Sequence, residues 1–307
     1  MMELHNPDNV KVHWAGGEVI QQYIVAHTLG TRYTLYTAFP FVERMTFEKH
    51  SSPIIPFKWM TKPEIQLPQE LYKNNLHCIQ DSGLFTLMFG SRKGKKDEHL
   101  INKWYDNLVL FTLNHGCPVT CVEVDCQKVL GIDKAWEFRE RIKNDLPNNR
   151  IINVFHLEDG SKGLDRLIEF SDYIAISVPE LRFAKKKNFV YPLACYIKNK
   201  KPNIDIHLLG CTELELLHKC NFCTSADSTT WTCYKRYGYI NNRHVSGIDT
   251  KKIIDVVGEE NYKTFLDYHN EMNVNTLVLS ILMLMDKYEK SAGNQDYYYM
   301  LNKNSSK

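Results

Sequence analysis

The chain has 307 residues, of which 43% are hydrophobic and 24% are charged, so it can bury a sizeable core and does not have the composition of a disordered protein. Its net charge of +2 neither indicates nor excludes a nucleic-acid partner, because a local basic face decides that property. Nine cysteines at irregular spacing, without an export signal at the start, favour reduced thiols and a cytoplasmic location. The longest apolar run, 277–285, is too short to span a bilayer and predicts a core-facing helix.

Short apolar runs with the composition of buried strands recur along the chain, and segments of helical composition separate most of them. The predicted strands are 10–15, 33–39, 76–80, 119–124, 151–155, 173–178, 204–209 and 222–226. The predicted helices are 18–28, 98–113, 134–143, 163–170, 188–198 and 213–218. This alternation favours a parallel sheet, and eight units favour an α/β fold of the (β/α)8 TIM-barrel type over an open doubly wound sheet.

The pattern predicts one domain with three parts. Residues 1–249 would form the barrel, 250–292 would be helices that pack against it, and 293–307 is a polar tail expected to fray. Segment 51–68 holds four prolines and predicts an irregular excursion.

Polar residues follow the predicted strands, and in a TIM barrel the chemistry takes place at the carboxyl ends of the strands. These ends carry Asp81, Asp125, His156, Ser177, Gly210 and Asp227, with Glu158, Asp159 and Glu180 close behind. A single aspartate at such a point is often only a turn or helix cap. Several acids at one barrel end would repel one another and spread their pKa values, which is typical of an enzyme.

Six short motifs resemble the tRNA-guanine transglycosylase superfamily, and in particular its phage-encoded deazapurine DNA transglycosylases. The motifs are Q-D-S-G-L-F at 80–85, V-E-V-D at 122–125, V-F-H-L-E-D at 154–159, H-L-L-G-C-T at 207–212, S-A-D-S-T-T-W at 225–231 and R-Y-G-Y-I at 236–240. The resemblance implies a TIM barrel that replaces guanine in double-stranded phage DNA with a free 7-deazaguanine base of the preQ0 type. A phage enzyme of this kind would act in the host cytoplasm.

The resemblance also implies roles for individual residues. Asp227 would be the nucleophile that attacks the sugar C1′, and Asp81 would be the general acid and base. Asp125 would accept hydrogen bonds from the N–H edge of the purine, and Ser82 would contact the base. Gly83, Ser177 and Gly210 lie in the matching segments and are further candidate substrate contacts.

The chain departs from the family in two places. The family's V-Q-G-G element is replaced by F-H-L-E at 155–158, and its G-G-L element by S-V-P-E at 177–180. His156 could therefore take over a contact to the carbonyl edge of the purine, or it could be a structural histidine.

Several residues are candidates for nucleic-acid binding. Basic clusters at 92–96, 185–187, 235–236 and 243–244 could neutralise phosphates, or they could be ordinary solvated loops. The candidates within them are Arg92, Lys93, Lys235, Arg236 and Arg243. Trp231, together with Tyr234, could stack on a flipped base, or it could cover the core.

No cofactor or metal is expected. The family's C-x-C-x-x-C zinc element after the nucleophile is absent, since no cysteine follows Cys233. Cys220 and Cys223 with Cys233 and a histidine (His218 or His244) could bind zinc, but buried thiols are the commoner outcome. Two other functions stay open, namely the same reaction on tRNA and a non-catalytic nucleic-acid-binding subunit. The sequence leaves the oligomeric state open.

Overall fold

A computed structural model describes residues 10–16, 20–47, 69, 72–73, 77–89, 97–240, 243–244, 247–267 and 269–288 of the chain. Eight strands in sequence order form a closed barrel, which confirms the predicted TIM-barrel fold. The strands are β1 Lys11–Trp14, β2 Tyr33–Thr37, β3 His77–Asp81, β4 Thr120–Val122, β5 Arg150–Phe155, β6 Tyr173–Ser177, β7 Asp205–Leu209 and β8 Ser225–Ser228. A separate two-stranded sheet pairs β9 Tyr239–Ile240 with β10 Arg243–His244.

Helices separate most of the barrel strands. The helices in the described residues are α1 Ile20–Thr28, α2 Phe39–Phe47, α3 Leu84–Phe89, α4 Glu98–Leu113, α5 Gln127–Leu130, α6 Ile132–Asp145, α7 Gly160–Phe170, α8 Val178–Phe183, α9 Val190–Lys200, α10 Leu214–Lys219, α11 Thr230–Tyr237, α12 Thr250–Val257, α13 Glu259–Leu266 and α14 Glu271–Tyr288. Two short 3-10 turns cover Leu157–Asp159 and Lys187–Phe189. In the part of the chain that the structure describes, no helix combines the length and the apolar character needed to cross a bilayer.

The chain divides into two compact units. One consists of Leu35–Leu209 and the other of Met1–Thr34 together with Gly210–Lys307. In the first unit, strands β3 to β7 pair in parallel, with Asn153 opposite Ile174 and Tyr173 opposite Asp205. These strands are buried on both faces, which is why they are nearly continuous apolar runs in the sequence.

In the other unit, β1 pairs in parallel with β8, and His13 lies opposite Asp227. The C-terminal helix α14 contacts α1 and α11, and its residues Leu277, Val278 and Ile281 are almost fully buried. The segment predicted to be helical at 250–292 therefore holds three helices up to Tyr288. The predicted proline-rich excursion at 51–68 and the polar tail at 293–307 lie outside the described residues.

Candidate active site

Asp227 is the third residue of β8, and its side chain lies in a nearly closed environment. The residue is only 7% exposed, and its Oδ1 accepts a hydrogen bond of 2.6 Å from the backbone N–H of Gly210. Gly210 directly follows β7 and has a φ of +60°, a conformation that glycine adopts without the strain other residues incur. Gly210 is a candidate substrate contact from the sequence, and in this structure its N–H holds the candidate nucleophile in position.

Asp81 is the last residue of β3, and it belongs to the unit Leu35–Leu209. Its Oδ2 accepts the backbone N–H of Gly83 at 3.2 Å, so the turn role that the sequence allowed for this aspartate is present. Gly83 has a φ of +71°, and a Cβ added there would lie 2.7 Å from the Cα of Phe39. Glycine is therefore required at this position by the tight turn. Ser82 is 3% exposed, and its carbonyl accepts the indole N–H of Trp104 at 3.1 Å.

Three side chains that follow β4, β5 and β6 form a cluster that we call the histidine clamp: Asp125, His156 and Glu180. His156 Nε2 lies 2.9 Å from Asp125 Oδ1, and His156 Nδ1 lies 2.9 Å from Glu180 Oε2. Burial of the ring disfavours the cation, but the two carboxylates outweigh burial and raise the pKa of His156 to about 10. His156 is therefore an imidazolium at neutral pH and donates a hydrogen bond from each ring nitrogen.

This arrangement bears on the two roles that the sequence left open for His156. Both of its N–H groups are engaged by Asp125 and Glu180 in this structure, as expected for a structural histidine that orients Asp125. Its contact with the carbonyl edge of a purine stays a prediction. Burial raises the pKa of the Glu180 carboxyl, but the hydrogen bond and charge of His156 outweigh that effect and lower it overall.

Ser177 is also engaged within the protein. Its Oγ accepts the backbone N–H of Glu180 at 3.3 Å and caps the N-terminus of α8. Glu180 Oε1 in turn accepts the backbone N–H of Leu157 at 3.4 Å. The serine that was predicted to contact substrate thus positions the helix that carries one arm of the histidine clamp.

A second layer of polar contacts surrounds the clamp and was not predicted from the sequence. Lys128 Nζ lies 2.7 Å from Glu158 Oε2 and 3.4 Å from Glu180 Oε1. Gln127 donates to Glu158 and Asp159, at 3.2 and 2.8 Å. Asp159 also accepts the backbone N–H of His156 at 3.0 Å, so the loop after β5 is fixed at both its backbone and its side chain.

Beneath the clamp lies a buried ion pair that sequence reasoning also missed. The carboxylate of Glu123 accepts bonds of 2.9 to 3.1 Å from Nε and an Nη of Arg139, and both side chains are at most 3% exposed. The same carboxylate accepts the side-chain amide of Asn153 at 2.6 Å and the backbone N–H of Val154 at 3.0 Å. The one available signal was a glutamate between two valines, since a buried acid requires a partner.

The stacking role predicted for Trp231 is wrong. This side chain is fully buried, and its indole N–H donates to the carbonyl of Ala15. Its ring lies 5.8 Å from that of Trp14, edge to face, and 5.4 Å from that of Tyr23. Trp231 therefore covers the core, which was the alternative that the sequence left open.

The cysteines of the candidate zinc site include two buried thiols. Cys220 and Cys223 are 0% and 2% exposed, and a hydrogen bond with Cys223 lowers the pKa of Cys220. Among the described residues, no group of three or more His, Cys, Asp or Glu side chains is arranged to hold a metal ion. The side chains of Cys233 and His244 lie outside the described part of the chain.

Most of the predicted phosphate contacts fall outside the structure that is described. Arg92 and Lys93 lie outside the described residues. Lys235 and Arg236 are on α11 and Arg243 is in β10, but the side chains of all three lie outside the described part. Their contact with nucleic acid stays a prediction.

Comparison with known proteins gives no family. No family model matches the chain, and no curated protein matches it. Among solved structures, an aldolase designated QR15 is similar over 77% of this chain and 98% of its own, with 12% sequence identity and a TM-score of 0.42. We draw nothing about the chemistry of the chain from a likeness at that level.

Proposed function

We propose that the chain is an enzyme that exchanges guanine in DNA for a 7-deazaguanine base. The observation that carries the proposal is the setting of Asp227, a nearly buried carboxylate within β8 with one oxygen fixed by the Gly210 N–H. A carboxylate held in this way can attack a sugar carbon along one direction. The proposed substrate and reaction are those of the transglycosylase superfamily that the six motifs resemble.

The reaction proceeds in two displacements. Asp227 attacks C1′ of the deoxyribose, the bond from C1′ to the guanine nitrogen breaks, and Asp81 gives a proton to the departing guanine. The ester between Asp227 and the sugar is the covalent intermediate. The incoming 7-deazaguanine then loses its N–H proton to Asp81 and attacks C1′, which releases the Asp227 carboxylate. Two inversions at C1′ retain the configuration of the sugar, as in retaining glycosidases.

Recognition of the base is assigned to Asp125. Its Oδ1 is occupied by His156, and its side chain is 26% exposed, so we assign Oδ2 to the N–H edge of the purine. The two lone pairs of Oδ2 can accept from two adjacent N–H groups, which guanine and 7-deazaguanine both present and adenine does not. Asp125 thereby favours guanine-like bases at both displacements.

Asp227→Asn is the test, because it keeps the size of the side chain and removes the nucleophilic charge. We expect base exchange to fall by more than about a thousandfold, as with other nucleophile replacements. The assay is nucleoside mass spectrometry of duplex DNA incubated with the protein and a labelled deazaguanine base. Asp249→Asn is the matched control, since Asp249 caps α12 and asparagine caps a helix equally well.

Two outcomes would count against the proposal. Full exchange by the Asp227→Asn variant would remove Asp227 from the mechanism. Exchange on tRNA but not on duplex DNA, measured in parallel, would keep the chemistry and replace the substrate.

A further inference from the structure

The end of α8, the 3-10 turn after it and the start of α9 expose aromatic and basic side chains together. Residues 182–191 read R-F-A-K-K-K-N-F-V-Y, and we call this segment the aromatic–lysine loop. Phe183 is 94% exposed, Phe189 is 60% exposed and Tyr191 is 45% exposed. Single exposed aromatics are ordinary, but three large exposed aromatics within nine residues indicate a partner.

The loop is held in place by its own backbone. The N–H of Lys186 donates to the carbonyl of Leu181 at 2.7 Å, and the N–H of Lys185 donates to that of Arg182 at 3.0 Å. This pair of bonds is the Schellman arrangement that closes the C-terminus of a helix. The N–H of Phe189 then donates to the carbonyl of Lys186 at 2.9 Å. The exposed rings therefore project from an ordered turn.

Lys185 occupies the position in this turn where glycine is usual. Its φ is +57°, and among the described residues it is the one non-glycine residue with a positive φ. A side chain in this conformation is strained relative to glycine. A strained residue that carries a charge at an exposed site is the kind of outlier from which a functional role is inferred.

The loop carries a net positive charge. Arg182, Lys185 and Lys186 are exposed, Lys187 is half-buried, and the acid that precedes them, Glu180, is engaged by His156. Three consecutive lysines between exposed aromatic rings match a ligand that carries both phosphates and flat bases.

We propose that the aromatic–lysine loop is a docking surface for DNA, with Phe183 stacking on an unpaired base and the lysines contacting phosphates beside it. The choice of DNA rests on the proposed function, in which the target base must leave the duplex stack before exchange. The binding itself needs no exchange chemistry, so the two proposals can fail separately.

Fluorescence anisotropy with a labelled single-stranded DNA of about 16 nucleotides tests the surface. Phe183→Ala should weaken binding by about tenfold, since stacking of one base is worth that much or more. Leu113→Ala is the matched control, because Leu113 is 55% exposed at the end of α4 and carries no role here. Lys162→Ala, which removes an exposed lysine from α7, controls for the loss of charge alone.

Lys185→Gly separates binding from folding. The substitution relieves the positive φ and should raise or maintain the melting temperature, while it removes a phosphate contact. We expect weaker DNA binding and a salt dependence of log Kd lower by about 0.7, the value for one phosphate on a single strand. A purely structural role for Lys185 would predict unchanged DNA affinity.

Unchanged DNA affinity in both Phe183→Ala and Lys185→Gly would overturn the inference. It would also be overturned if the natural protein bound anionic lipid vesicles as tightly as DNA and both variants lost the vesicle binding. If the natural chain shows no base exchange while both variants bind DNA more weakly, the proposed function fails and the surface stands. If exchange occurs and both variants bind DNA normally, the surface fails and the proposed function stands.

Discussion

The histidine clamp predicts a specific dependence of stability on pH. Burial opposes the charged ring, but Asp125 and Glu180 raise the pKa of His156 from 6.5 to about 10. The folded protein therefore binds this proton more tightly than the unfolded chain does. The stabilisation is complete below about pH 6.5, falls as the pH rises, and is lost above about pH 10. His156→Gln removes the cation and with it this contribution.

The size of the effect follows from the same values. Each pH unit between the two pKa values removes up to about 1.4 kcal/mol of stability. Between about pH 6.5 and pH 9, the natural protein should therefore lose about 3 kcal/mol more than the His156→Gln variant. Solvent screening reduces this little, because the His156 side chain is only 5% exposed. The lowered pKa of Glu180 arises from the same pair and adds no separate contribution.

Urea unfolding at several pH values, followed by tryptophan fluorescence, measures this difference. The free energy of unfolding of the natural protein minus that of His156→Gln should shrink steadily as the pH rises. His99→Gln, which changes an exposed histidine on α4, is the control. The free energy of unfolding of the natural protein minus that of His99→Gln should show no comparable decrease as the pH rises. A difference for His156→Gln that does not change with pH, or an NMR titration of the His156 ring with a midpoint near pH 6.5, would refute the reasoning.

Three further substitutions test the packing around the candidate residues, each by urea unfolding. Gly83→Ala should lower the free energy of unfolding by about 2 kcal/mol or more, because it adds a clash with the backbone of α2 to an unfavourable φ. Gly131→Ala is the control. Gly131 has a φ of +86° and open space around it, so this variant should lose only the conformational part, about 1 kcal/mol. Arg139→Met should cost about 3–5 kcal/mol, because it leaves a buried carboxylate without its partner. Trp231→Ala should lower the free energy of unfolding by a similar amount, because it leaves a cavity in the core. The DNA affinity of the folded variant should stay unchanged.

The barrel was predictable because its strands are buried on both faces. The run predicted at 173–178 is found as β6, Tyr173–Ser177, and the seven other predicted runs overlap the remaining barrel strands in the predicted order. The last strand shows the limit of the pattern, since it was predicted at 222–226 and lies at Ser225–Ser228. Its residues are small and polar yet buried, and the turn in which the N–H of Cys223 donates to the carbonyl of Cys220 precedes it. Hydrophobicity alone does not mark such a strand.

The site was predictable as a set of strand ends but not as a set of contacts. Position after a strand identified Asp125 and His156, and both lie in the same cluster. Which nitrogen of His156 contacts which oxygen depends on the register of β4, β5 and β6 and on the cap of α8, and neither is encoded in local spacing. Glu180 was visible as a residue near the end of β6, but its contact with His156 appears only in three dimensions.

Asp125, which follows β4, and Asp227, which lies within β8, are held by different partners, and this bears on their proposed roles. Asp125 is paired with an imidazolium, which donates a hydrogen bond to its Oδ1. The same pairing fixes its orientation, which suits an acceptor of hydrogen bonds from a base. The Asp227 oxygen at 2.6 Å from Gly210 is held by a neutral peptide N–H, which orients the carboxylate without placing a full positive charge on that contact. The hydrogen bond to Oδ1 of Asp125 is compatible with the base-recognition role that we propose for it, and the oriented carboxylate of Asp227 is compatible with the proposed attack on the sugar.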